Sequence, residues 1–324
     1  MSDLVIAVLR PAEFNPLDCW GGREAIDPVL SALEKAEVRT EEWVIRSQAD
    51  LEPLRNRSGI LAFPHARQFA PGRSMVEPLV QWGVPFIGSG PDGLASQDKA
   101  RAKQMMADHG VPTPSWEITG ENTDAAALAA RLGLPLMVKP TIGAESIGVT
   151  YCGDLTQLQE AISTPGVMVE EWRRDREFTV SILGNGTSRI AAPAEIVLPP
   201  GALYLDEGIK KHRIVPTLRP SSDAPAGVRA AEAALLASVA LGLQDWARVD
   251  VVIDQDGAPY VIDINAMPGL RRDALHPSYF PRCLEMAHGL SYEQVILRLV
   301  VTAALRNNIA VPEEQASVLL SPGA

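Results

Sequence analysis

RVDVVIDQDGAPYVIDINAMPG, residues 248–269, sets two apolar strands on either side of Asp256-Gly257. That pair favours a tight reversal, because Gly, and Asp to a lesser degree, tolerates positive φ. A turn centred on it predicts an antiparallel hairpin in which Arg248 opposes Asn265, Asp250 opposes Asp263 and Val252 opposes Val261. Strand side chains alternate, so these six share one face. Val249, Val251, Ile253, Tyr260, Ile262 and Ile264 take the other, which is apolar throughout and is expected to face the core.

Two aspartates directly across a ladder repel each other and weaken a hairpin unless a cation lies between them. Asp250, Asp263 and Asn265 offer only oxygen ligands, which suits Mg²⁺ and leaves positions for water and phosphate oxygens. A solvated polar face would show the same alternation. The sequel Asn265-Ala-Met-Pro268-Gly269 favours a site, because such a turn presents backbone N–H groups beside the metal.

Upstream, Lys99 falls in the first turn of a helix expected to start at Ser96, its N-cap, and to stop at Gly110 before Pro112 and Pro114. The positive end of the helix dipole disfavours a cation there, so a lysine at that point suggests a phosphate partner. Lys139 ends the apolar strand Leu134–Lys139 and precedes Thr141-Ile-Gly-Ala-Glu-Ser-Ile-Gly148, whose small residues let backbone N–H groups close over phosphates. The lysine comes before the glycines, so this is not a Walker loop. Each lysine alone reads as surface charge. Their order along the chain with Glu170, Glu177, Lys210, Asp250 and Asp263 makes a pattern.

The remaining sequence fits several packed units around a cleft, since 324 residues are about twice a typical domain. A formal charge of −11 argues against nucleic acid as a partner, because phosphate neutralisation needs a basic surface. No run is long enough to cross a bilayer, and MSDLVIAVLRPAEF lacks the pattern of a secretory signal, so no membrane attachment and a cytoplasmic location are expected. Cys19, Cys152 and Cys283 form no C-x-x-C pair and are expected to be reduced packing residues. Strands at Leu4–Leu9, Ile60–Phe63 and Pro85–Gly88, with a helix over Asp27–Lys35, predict a small parallel α/β sheet. Strands at Val167–Trp172, Glu177–Leu183 and Ile190–Ile196, the last two flanking Asn185-Gly186, predict antiparallel α+β material. Helices are expected over 223–243 and 291–306, the second opened by Ser291 and Gln294 as a capping box.

The chain resembles the ATP-grasp superfamily, and within it the D-alanine:D-alanine ligases, over roughly residues 85–300. Four stretches carry the likeness: SQDKARAKQMMADHGVPTP from residue 96, LGLPLMVKPTIGAESIGV from 132, VMVEEWRRDREFTVSILGN from 167, and the hairpin. The resemblance implies an ATP-grasp fold, α/β and α+β, with an N-terminal Rossmann-like domain over 1–94. A central subdomain over 95–177 and a C-terminal subdomain over 178–324, the latter with the metal and catalytic site, would sandwich ATP. By the same resemblance Lys99, Lys139, Glu145, Ser146 and Lys210, with Lys211 as a rival, belong to the phosphates. Glu170, Glu171, Trp172 and Arg173 belong to adenine, Glu177 to ribose, and Val252 to the ATP site. Asp250, Asp263 and Asn265 would hold two Mg²⁺ ions, replaceable by Mn²⁺, while Arg248 and the Gly269 N–H stabilise the reacting acyl group. The implied reaction joins a small-molecule acid and an amine, both amino acids, through an acyl phosphate, releasing ADP and phosphate. A homodimer is common in that family.

The N-terminal third departs from the family pattern. Arg10 to Trp20 is interposed, and Ile26 stands where a glutamate would hold the first substrate's ammonium. That role is left to Glu13, Glu24 or Asp27, or the first substrate lacks an α-amine. Glu145 replaces a usual serine, and no serine directly follows Gly269 to receive the second substrate's carboxylate, for which Arg271 or Arg272 offers a stronger fork. His65 lies near a family histidine close to the substrate. Because these departures fall at substrate positions, the expectation is a specialised dipeptide or amide ligase, with D-alanine:D-alanine ligation as the alternative. An ATP-grasp kinase, which would not need the Arg248–Gly269 arrangement, and a non-catalytic nucleotide-binding protein are the rivals.

Overall fold

The computed structural model describes residues 4–13, 22–143, 146–211, 216–272 and 277–311. Its first sheet is parallel, with β1 (Val5–Pro11) between β2 (Arg39–Ile45) and β3 (Ile60–Pro64). β1 is buried almost throughout, as a central parallel strand requires. The helix after it runs over Arg23–Lys35, one turn longer than expected, and the charged strand β2 was not foreseen. Pro85–Gly88 is not a strand. Only Phe86 forms a parallel bridge, to Ala62, because Pro85 has no N–H and Gly88, at φ +108°, breaks the extended backbone. A short antiparallel ribbon, β4 (Gln68–Ala70) and β5 (Arg73–Ser74), follows β3.

A second sheet holds β6 (Trp116–Ile118), β7 (Leu136–Pro140), β8 (Thr150–Cys152) and β9 (Val167–Glu171) in the order β6-β9-β7-β8. The third holds β10 (Arg176–Leu183), β11 (Ile190–Val197), β12 (Thr217–Pro220), β13 (Trp246–Ile253) and β14 (Pro259–Asn265), ordered β12-β11-β10-β13-β14. Every pairing in these two sheets is antiparallel. The alanine-rich helix Pro225–Ala240 covers one face of the third sheet and buries Val249, Val251, Ile253 and Ile264. The helix Tyr279–His288 packs on the opposite face, against Ala192, Ala194 and Ile196. The helix Tyr292–Arg306, opened by the Ser291–Gln294 box, joins this body to the helix Arg23–Lys35.

The hairpin matches the expected pairing at its open end and not at its turn. Asp254 N–H donates to Ala258 O at 3.0 Å, so the loop is the three residues Gln255-Asp256-Gly257, with Gly257 at φ +83°. The ladder near the turn is therefore displaced by one: Val252 faces Tyr260, not Val261. A β-bulge at Ile262 supplies the missing residue and restores Asp250 opposite Asp263 and Arg248 opposite Asn265. It also exchanges faces, so that Val261 is in the core while Tyr260 and Ile262, expected there, are only half-buried.

The helix Lys99–Asp108 is capped by Asp98 rather than Ser96, because residues 95–97 already form a 3₁₀ turn. The Asp98 carboxylate accepts from the N–H groups of Ala100 and Arg101. Cys152 and Cys283 are buried free thiols, and Cys19 lies outside the described residues. Among the described residues no helix is long and apolar enough to cross a membrane.

Candidate active site

A cavity of about 470 Å³ opens between the second and third sheets, a size usual for small-ligand sites. On its floor the Asp250 carboxylate accepts from Thr179 Oγ1 at 2.8 Å and from Arg248 Nε and Nη2, both at 3.1 Å. β10 places Thr179 beside Asp250 in the ladder. Across the hairpin Asp263, its side chain 40% exposed to the cleft, meets Lys99 Nζ at 3.2 Å. Burial works against a charged Asp263, but Lys99, Lys139 and Arg248 outweigh it and hold the carboxyl below the usual carboxylate range. Burial likewise disfavours the Arg248 cation, and Asp250 overcomes that, leaving the guanidinium firmly protonated. Asn265 Oδ1 accepts the Met267 N–H at 3.1 Å and so fixes the turn into Pro268-Gly269, where Gly269 lines the cavity.

These residues fit a hard divalent cation. Their donors are oxygen only, and two carboxylates face each other across the ladder beside an amide, leaving coordination positions for phosphate and water. Among the described residues no cluster of three or more His, Cys, Asp or Glu forms elsewhere or here, since the third donor is Asn265.

The opposite wall gathers the nucleotide candidates. Lys139 pairs with Glu170 at the cleft edge. Glu171 accepts from Arg173 Nε at 2.9 Å, and the Arg173 guanidinium lies over the Tyr260 ring. Trp172 stands edge-on between Tyr151 and Tyr204. Glu177 pairs with Arg174 and sits beside Val252 in the ladder, both lining the cavity. Ser146, at φ +59°, donates to Leu205 O at 2.7 Å and also lines it. The Lys99 N–H donates to Thr141 O, tying the helix start to the loop after Lys139.

The tentative substrate residues divide. Arg271 lines the cavity, its side chain 3.8 Å from Glu24. Glu13 is exposed and not among the cavity's lining residues. His65 does not reach the cleft: it is sealed against Phe63, and burial lowers its pKa to about 4. Ile26, at the position of the expected glutamate, is a core residue. Glu145 and the side chain of Lys210 lie outside the described residues.

Sequence reasoning missed Thr179, Arg174, Lys103, Ser278 and Tyr279. Ser278 lines the cleft and accepts the Arg271 N–H at 2.9 Å, so a serine does follow Gly269, several residues later than sought. Its position as N-cap of the helix Tyr279–His288 was a usable signal. Thr179 offered none, because only the sheet order makes it a neighbour of Asp250.

Residues 105–301 match the family model described as D-ala D-ala ligase C-terminus. The chain is 32% identical over 234 residues to the D-alanine–D-alanine ligase of Bordetella pertussis, spanning 69% of this chain and 72% of that protein. Its fold is similar to the D-alanine–D-alanine ligase of Bacillus anthracis complexed with ATP, with TM-score 0.72 and 21% identity over 94% of this chain and 99% of that one. VanG D-Ala:D-Ser ligase from Enterococcus faecalis gives TM-score 0.70 and 21% identity over 93% and 99%. Fold and comparisons define an ATP-grasp enzyme, an ADP-forming ligase that makes C–N bonds. The chain belongs to the D-alanine–D-alanine ligase family.

Proposed function

We propose that the enzyme condenses two small amino acids, D-alanine foremost, into a dipeptide through an acyl phosphate formed from ATP. The observation that carries this reading is the convergence of Lys99, Lys139 and Arg248, from different elements, on one cleft with the facing carboxylates Asp250 and Asp263. The D-alanine–D-alanine ligases of Bordetella pertussis and Ralstonia pickettii, relatives at 32% and 33% identity, support D-alanine over the specialised amide expected from the N-terminal departures.

In this reading Lys99 and Lys139 hold the triphosphate, and Mg²⁺ at Asp250, Asp263 and Asn265 supplies charge neutralisation when bound. The first amino acid's carboxylate attacks the γ-phosphorus and ADP leaves. The second amino acid's free amine then attacks the acyl carbon, and collapse expels inorganic phosphate. Arg248 and the Gly269 N–H face the oxyanion, where fixed donors contribute most. Glu170, Glu171, Trp172 and Arg173 would border adenine, with Glu177 at ribose. The units 1–94, 95–177 and 178–324 are proposed as its domains; the first two sheets lie within the first two units, and the third sheet lies in the last except that its strand β10 begins at Arg176. A cytoplasmic, homodimeric enzyme completes the proposal.

A specific observation favours a second reading: Arg67 and Arg271 both line the cleft, which suits a second amino acid with an additional anionic group. ADP release with Mg²⁺, ATP and D-alanine, followed by the mass of the product, tests both. D-alanyl-D-alanine is the expected product. Turnover confined to an acidic co-substrate would transfer the assignment to the second reading, and no ADP with any acid–amine pair would remove both.

A further inference from the structure

Behind the cleft lies a cation that cannot reach a ligand. Lys103, one turn after Lys99 on the same helix, is 2% exposed and does not line the cavity. Its ammonium donates to Thr113 Oγ1 at 2.7 Å and Pro114 O at 3.1 Å, and forms an ion pair with Glu170 Oε2 at 2.9 Å. Thr113 Oγ1 donates in turn to Val261 O at 2.8 Å, which anchors the lysine to the metal-site hairpin. The other Glu170 oxygen takes Lys139, which does border the cavity. Two lysines thus share one buried carboxylate, one facing the cleft and one sealed behind it.

We propose that Lys103 is a positioning residue that retains Glu170 while Lys139 exchanges that carboxylate for a phosphate of the nucleotide. The inference rests on reading the cleft as the ATP site. A buried carboxylate stripped of its only cation is strongly disfavoured, so a lone Glu170–Lys139 pair would keep Lys139 from the phosphates. Lys103, held by Thr113 and Pro114, stays with Glu170 when Lys139 turns away. The triad also carries one positive charge in excess, the sign a triphosphate requires. In keeping with this, burial opposes ionisation of Glu170, and Lys139 and then Lys103 outweigh it.

The test is calorimetric binding of Mg²⁺ with a non-hydrolysable ATP analogue, and of adenosine, to the intact chain and to Lys103→Met, Glu170→Gln and the double variant. Lys103→Met is expected to weaken the analogue at least about tenfold. Adenosine should stay within about twofold, and in the Glu170→Gln background the same substitution should change analogue binding by less than about twofold. Undiminished binding by Lys103→Met, a parallel fall in adenosine affinity, or an equal loss in both backgrounds would make Lys103 a structural residue and overturn the inference. Failure of the intact chain to bind the analogue would instead remove the nucleotide reading beneath it. Lys103→Gln, which keeps a neutral donor for Thr113, gives the same comparison if the methionine variant does not fold.

Discussion

Asp245, just before β13, and Asp263, in β14, are both acids among cations, and they differ in what is left for a ligand. Asp245 is fully buried, at φ +62°, and all its capacity is committed. Its carboxylate accepts from Gly88 N–H at 2.7 Å, Asn185 Nδ2 at 2.7 Å, and Arg306 Nε and Nη2 at 3.0 and 2.8 Å. Arg306 continues to the carbonyls of Phe86 and Gly88, so this cluster clamps the first sheet's crossing segment to the third sheet. Asp263 opens to the cleft with Lys99 as its near partner, across the ladder from a second acid. Saturation marks a clamp, and unspent acceptor capacity beside like charge marks a binding site.

The sharpest way to break that contrast is to neutralise each acid in turn. Asp245→Asn leaves Arg306 without its anion and should lower unfolding stability by about 3–5 kcal/mol in urea titration, with folded enzyme still active. Asp263→Asn should instead leave stability within about 1 kcal/mol while cutting Mg²⁺-dependent ADP formation at least about 100-fold. If the two variants exchanged phenotypes, the division between clamp and site would be lost.

The next test concerns how the hairpin delivers Asp263 to its place. Pairing centred on Asp256-Gly257 gives the right partners at the site through two offsets that cancel, the three-residue loop and the bulge at Ile262. Nothing local announces the bulge, because Val261 and Ile262 are both β-branched and apolar, and either can face the core. Val261→Ala should therefore cost about 2 kcal/mol of stability, and Ile262→Ala under about 1 kcal/mol while raising the KM for ATP. The reverse ranking would restore the unbroken register.

What was legible follows the range of the interaction. Lys99 in a first helical turn, the Ser291–Gln294 box and the acids on one hairpin face are consequences of spacing within a few residues, and each is present. The helix cap was misplaced because Ser96 and Asp98 are both competent, and only the 3₁₀ turn decides between them. Thr179 and Lys103 were invisible because their partners, Asp250 and Glu170, lie on strands distant in the chain, in an order that local pattern does not encode, whereas Arg174 pairs with Glu177 only three residues on and was within local reach.

His65 extends the contrast to a base, and its effect is the smallest. Buried against Phe63, it has a pKa near 4 because burial disfavours the charged ring, whereas in the unfolded chain it titrates near its ordinary 6.5. Between those values the unfolded state binds the extra proton, so His65 contributes stability that is intact above pH 6.5 and is lost as pH falls towards 4. At one pH unit below 6.5 the loss is about 1.4 kcal/mol. Urea midpoints at pH 7.5 and 5.5 should therefore converge by about that amount when His65→Asn replaces the wild-type chain. An unchanged slope would mean that the folded protein protonates His65 freely, which its burial against Phe63 does not allow.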